Sequence, residues 1–145
     1  MLARTLSAAL LYFACVFGAG FALALIRVPL LVPRLGVRWA ELIEMPLMAA
    51  VIVLAARWTV RRCALPARPP IRLAAGAVAL ALLLAAEVGL AIALQGASVR
   101  EVVMDRDPVS GTVYALMLIV FALMPWFVAR DAPGGKPHAR TAPDL

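Results

Sequence analysis

Long apolar runs, broken only where arginines, prolines or short polar stretches gather, set the pattern of this chain. The runs cover about residues 5–26, 38–60, 72–94 and 108–129, and each approaches the roughly 20 residues that a helix needs to cross a bilayer. The pattern predicts an all-α polytopic membrane protein: residues 1–130 form four transmembrane helices in a compact bundle. The remaining stretch, DAPGGKPHARTAPDL at 131–145, is polar and rich in Gly and Pro, and reads as a disordered tail. The opening MLARTLS with its apolar continuation has the outline of a signal peptide. The run is longer than the ~7–15 residues of a signal core and more spans follow, so an uncleaved first helix is expected.

Helical spacing then sorts residues onto faces. Ala14, Gly18 and Ala22 make a small-residue stripe on the first helix, and Ala85, Gly89 and Ala93 make another on the third. Such stripes suit close helix contact. At 100° per residue, Glu87 points about 160° away from the second stripe, so with Glu87 facing the bundle the stripe is expected against another helix at an angle or a second protomer. On the second helix Glu41, Glu44, Met45, Met48, Ile52 and Ala55 share a face, with Pro46 as a kink site. Residues 27–36 hold Pro29 and Pro33 and are expected as a non-helical connection lying in the membrane interface or dipping partly into the bilayer. Asp107-Pro108 reads as an N-cap followed by a first-turn proline, starting a helix whose one face carries Asp107, Ser110, Gly111, Tyr114, Leu118 and Phe121.

Composition agrees with the pattern. Hydrophobic residues make up 65% of the 145, against about 45–50% in soluble domains. Mean hydropathy is +0.97. A net charge of +6 raises the question of nucleic acid, but the basic residues sit at the ends of the apolar runs, where they anchor helices at a membrane surface. No nucleic-acid partner is expected; membrane lipids are, with a homo-oligomer or larger membrane complex left open. Arg4, Arg57, Arg61, Arg62, Arg68, Arg72, Arg130, Lys136 and Arg140 fall on the side of the termini. They outnumber Arg27, Arg34, Arg38, Arg100 and Arg106 on the other side. The positive-inside rule therefore places both termini in the cytoplasm, and the preference for Arg over Lys with abundant Ala and Leu, the composition of a GC-rich bacterial genome, makes the membrane a bacterial inner membrane. Cys15 and Cys63 lie at different depths, which argues against a disulfide.

That topology gathers the unusual residues near the outer leaflet. Glu44 and Glu87 come to lie roughly 9–12 Å below the outer surface at ~1.5 Å per residue. Glu41, Asp107, Ser110 and Tyr114 lie level with them or slightly above, and Arg27, Arg34 and Arg38 enter from the connection. Ionisable groups at such depth are expensive and turn inward, paired or facing a wet cavity. Glu87 is expected near Glu44 with Arg27 as partner, the alternative being a protonated Glu87 bonded to Tyr114 or Ser110. The cluster reads either as a register-setting Arg/Glu network or as a pocket for a small ligand, a lipid head group or protons. Glu41 and Glu44 alone do not make a metal site: the single His, His138, lies in the tail. No base accompanies Ser110 or Tyr114, so no catalytic residue and no cofactor is implied.

The stretch at 17–62 centred on RVPLLVPRLGVRWAELIEMP, with RDPVSGTVYALM at 106–117, resembles a group of small four-helix bacterial inner-membrane proteins. That resemblance implies the architecture and brings no activity with it. Size and span number are also similar to the small multidrug resistance exporters. Those depend on a glutamate within the first helix, which here has no acidic residue. The expected function is thus a non-enzymatic accessory or structural membrane component; the alternatives are a small proton-coupled transporter or lipid-like ligand binder using Glu44 and Glu87, and, further off, an intramembrane enzyme.

Overall fold

The computed structural model describes residues 1–128, so the expected tail, the end of the fourth span and His138 lie outside the described residues. The described residues are mainly helical: α1 (Leu2–Ile26), a π-helical segment (Arg27–Leu31), α2 (Val32–Arg62), α3 (Pro69–Gln95), the short α4 (Val99–Met104) and α5 (Pro108–Phe127), with no strand among them. Three stretches are long and apolar enough to cross a membrane: Leu2–Arg62, Pro69–Gln95 and Pro108–Phe127.

The first of these has 61 residues and would extend ~90 Å if straight. It folds back instead. A Cβ on Gly20 of α1 would stand 3.5 Å from Met48 of α2, and Arg27 pairs with Glu44. The reversal is made at Gly36, whose φ of 81° and ψ of 165° break the helix; glycine enters that region without a Cβ penalty. Here the structure differs from the expected non-helical connection at 27–36. Pro33 takes a first-turn position in α2, where its missing N–H has no intrahelical partner to lose. Pro29 lies in the π-helical segment, whose wider turn relieves the clash of a proline ring with the carbonyl four residues back. Pro69 and Pro70 likewise open α3 three residues earlier than expected, leaving a tight 63–68 linker.

α1 packs against α2 and α3, and α5 packs against α3 and α2. Their buried residues are unevenly spread. Those of α1 end at Val16 and those of α3 at Leu83; α2 buries Ile52, Ala55, Ala56 and Thr59 at this end, while at the other end the buried residues are Ala40 of α2 and Ser110 of α5. Tight packing therefore occupies the end that holds the chain's N-terminus, and the helices are more loosely joined at the other. Small side chains permit the close approach: Ala8, Ala9, Ala56, Ala75 and Ala79 are all buried. A close crossing is at Gly76, where an added Cβ would overlap the carbonyl of Ala122 on α5. The two stripes singled out in the sequence are elsewhere. Ala14, Gly18, Ala22, Ala85, Gly89 and Ala93 are all exposed, and neither Gly18 nor Gly89 has an atom within 4 Å of an added Cβ.

Two polar contacts close the packed end. Arg72, expected as a surface anchor, is buried at 7% exposure and donates to the carbonyls of Leu65 (3.1 Å), Pro66 (3.0 Å) and Pro125 (3.5 Å). It ties the 63–68 linker to the end of α5. Pro125 has no N–H to offer the carbonyl of Phe121 four residues back. The hydroxyl of Tyr12 takes that place, donating at 2.8 Å, and its ring stacks on Phe121 at 4.4 Å. The cysteines Cys15 and Cys63 are free.

Candidate functional site

Where the helices part, they enclose a cavity of about 830 Å³. Its floor is the top of the packed core: Val16, Ile52, Leu83 and Phe121, with Tyr12 stacked beneath Phe121. Phe17, Phe21, Met48 and Leu118 continue the apolar wall. Above them lies a polar band from the π-helical segment, α2, α3 and α5, and the mouth is edged by the 95–107 segment.

Each polar residue is held by its own element. Arg27, just past the end of α1, faces Glu44 across the hairpin at 3.2 Å, with side chains 22% and 13% exposed. Glu44 Oε2 is shut from solvent and accepts no hydrogen bond, so the pair is an ionic contact without good alignment. Glu41, one helical turn earlier on α2, also lines the cavity. Opposite, the hydroxyl of Tyr114 on α5 donates to the carboxylate of Glu87 on α3. The guanidinium of Arg106 lies 4.0 Å above the Tyr114 ring.

At the mouth, Arg38 grips Asp107 with bonds of 3.0 and 2.7 Å, joining α2 to the start of α5. Asp107 also accepts from the amides of Val109 (3.1 Å) and Ser110 (3.0 Å), the N-cap role. Arg38 foremost, and then the Ser110 amide, hold its pKa down to about 2. Between α3 and α5, Gly96 turns the chain with a φ of 62°, and α4 begins on a capping box in which Ser98 and Glu101 bond each other's amides. That contact with Ser98 keeps the Glu101 carboxyl below its usual range.

Of the residues singled out in the sequence, Arg27, Glu41, Glu44, Glu87, Asp107 and Tyr114 line the cavity together. Arg38 holds the rim from outside it. Arg34 is exposed beyond the hairpin, and Ser110 is buried with an unpartnered hydroxyl away from the cavity lining. The expected Glu87–Arg27 pair is not formed. Arg27 sits on the hairpin that α1 makes with α2, so Glu44 is its near neighbour, while Glu87 faces α5 across the α3–α5 contact. Sequence reasoning passed over Gln95, Glu101, Asp105 and Arg106, which complete the mouth.

Comparison with known protein families, curated proteins and solved structures finds no match. The site must therefore be read on its own chemistry. Among the described residues no group of three or more His, Cys, Asp or Glu could hold a metal ion. What the cavity offers is an apolar interior, an ionisable rim and a wide mouth, the ingredients of a site that binds an amphiphilic molecule.

Proposed function

We propose that this chain is a small four-pass protein of the bacterial inner membrane, its four long helices forming a bundle with both termini in the cytoplasm. In that frame it belongs with the group of small four-helix membrane proteins that its sequence resembles. Its role is non-enzymatic: it binds a lipid-like molecule in a cavity that opens toward the outer leaflet. One observation carries this reading, the cavity of about 830 Å³ with an apolar floor and a polar rim. That volume is in the ~300–1,000 Å³ range of small-molecule sites. The arginine excess at the opposite end supports the orientation.

Native mass spectrometry tests it. Protein released from mild detergent should retain one amphiphile per chain, and Ala91→Trp, which fills the cavity from its α3 wall, should abolish the adduct. An adduct of equal abundance in that variant would overturn the reading. A second reading, a proton-coupled carrier using Glu44 and Glu87, draws support from the Tyr12–Phe121 stack that closes the cavity's inner end. Proton-driven uptake into liposomes that disappears with Glu87→Gln would favour it.

A further inference from the structure

The cavity's charge is opposite in sign to that of the chain. Overall the protein carries +6, yet the cavity is lined by the carboxylates of Glu41, Glu44, Glu87, Glu101, Asp105 and Asp107, with only the guanidinium groups of Arg27 and Arg106 among them. Several of these acids are engaged: Glu44 with Arg27, Asp107 with Arg38, Glu101 with Ser98 and Glu87 with Tyr114. Glu41 and Asp105 form no ion pair among the described residues. The apolar walls below the band have little capacity to screen these charges, so the field of the excess acid is focused into the cavity.

We infer that the ligand is an amphiphilic primary amine, its ammonium seated among Glu41, Glu44 and Glu87 and its hydrocarbon chain running down to Phe121. This rests on the cavity reading above and names its ligand class. Three observations converge on it. The charge excess selects a cation. The carboxylate of Glu41, which lines the cavity and has no ion-pair partner among the described residues, calls for a donor, and an ammonium brings three where a quaternary nitrogen brings none. From Glu44 to Ile52, the α2 residue in the floor, the wall runs ~12 Å along the helix, and it is faced by Phe17, Leu83, Leu118 and Phe121. That depth accepts an extended chain, which a small hydrophilic amine could not use.

The test uses the full chain in phosphatidylcholine nanodiscs, with empty nanodiscs as the partition control. Dodecylammonium, dodecyltrimethylammonium, dodecyl sulfate and methylammonium are titrated by calorimetry. Dodecylammonium should bind saturably, one per chain, at least about tenfold tighter than dodecyl sulfate. Glu41→Gln and Glu87→Gln should each weaken it several-fold, with Glu41→Gln, at the cavity edge, serving as the variant least prone to disturb folding. Competition from added phosphatidylethanolamine would identify a lipid head group as the amine's source; its absence would point to a free amine, and both outcomes support the amine. Equal or tighter binding of dodecyl sulfate, equal binding of dodecyltrimethylammonium, or binding unchanged by both Gln variants would overturn the amine assignment while leaving the cavity reading intact. Absence of saturable binding by every probe, sulfate included, would remove the cavity reading itself.

Discussion

Gly76→Ala sets two opposing effects against each other, and the structure decides between them. In a helix interior alanine is favoured over glycine by about 1 kcal/mol. At Gly76 the added methyl would overlap the Ala122 carbonyl oxygen and stand 2.9 Å from its carbon. Those are backbone atoms of α5 and have no rotamer to escape into. The helices would have to part by roughly an ångström or more to reach ordinary van der Waals separation. Parting them loosens the buried contacts of Ala75, Ala79 and Phe121 around the crossing. Overpacking of this kind costs about 1–3 kcal/mol, more than the propensity gain, so a net loss is expected. Gly18→Ala and Gly89→Ala provide the comparison, because nothing lies within 4 Å of either added methyl. Those two should match or exceed the wild type. Unfolding in mild detergent followed by circular dichroism measures all three. If Gly76→Ala is as stable as Gly89→Ala, the tight α3–α5 crossing is wrong.

Other outcomes follow from the polar band. Tyr114→Phe and Glu87→Gln should couple in a double-mutant cycle by about 0.6–1.7 kcal/mol, the range of hydrogen bonds between membrane helices, whereas Arg27→Gln and Glu87→Gln should be additive; the reverse pattern would restore the pairing expected from sequence. Arg27→Gln and Glu44→Gln should each lower thermal stability and the double variant should regain part of the loss, by less than the ~3–5 kcal/mol of fully buried pairs because the cavity is open to water. Asp107 has a depressed pKa of about 2, so the stability it contributes is whole above the ordinary carboxylate value near 4 and is lost as pH falls toward 2. Asp107→Asn should abolish that acid-side loss, and an unchanged acid profile would deny the Arg38–Asp107 clamp its role. A reporter fused after Leu145 checks the orientation: fluorescent-protein signal is expected, and alkaline phosphatase activity would invert the topology.

What could be read from the sequence was local. Asp107 caps α5 through amides two and three residues away, and Asp107, Tyr114, Leu118 and Phe121 share a face because helical spacing alone puts them there. The partners of the acids were not legible, since they depend on which helix stands beside which. Glu87 meets Tyr114 because α3 adjoins α5, and Arg27 meets Glu44 because the hairpin folds at Gly36. The same holds for small residues. Two stripes at four-residue spacing lie on faces that no helix of this chain covers among the described residues, while Gly76, flanked by Ala75 and near Ala79, makes a close crossing. Helical periodicity reports that a face exists and leaves open what it meets. One signal was present and passed over: Ser98-Val99-Arg100-Glu101 has the spacing of a capping box, and it places a helix at the cavity mouth.

The absent N–H at Pro125 has a consequence for how the chain is assembled. Ribosomes deliver α1 first and α5 last, and 109 residues separate Tyr12 from Phe121. Until α5 arrives, the Tyr12 hydroxyl has no carbonyl to meet; once it arrives, the proline has left one carbonyl open for it. The bond thus reports completion: a chain that stops short of α5 leaves the Tyr12 phenol without its acceptor, and one that docks α5 in the wrong register leaves both the phenol and the Phe121 carbonyl unpaired.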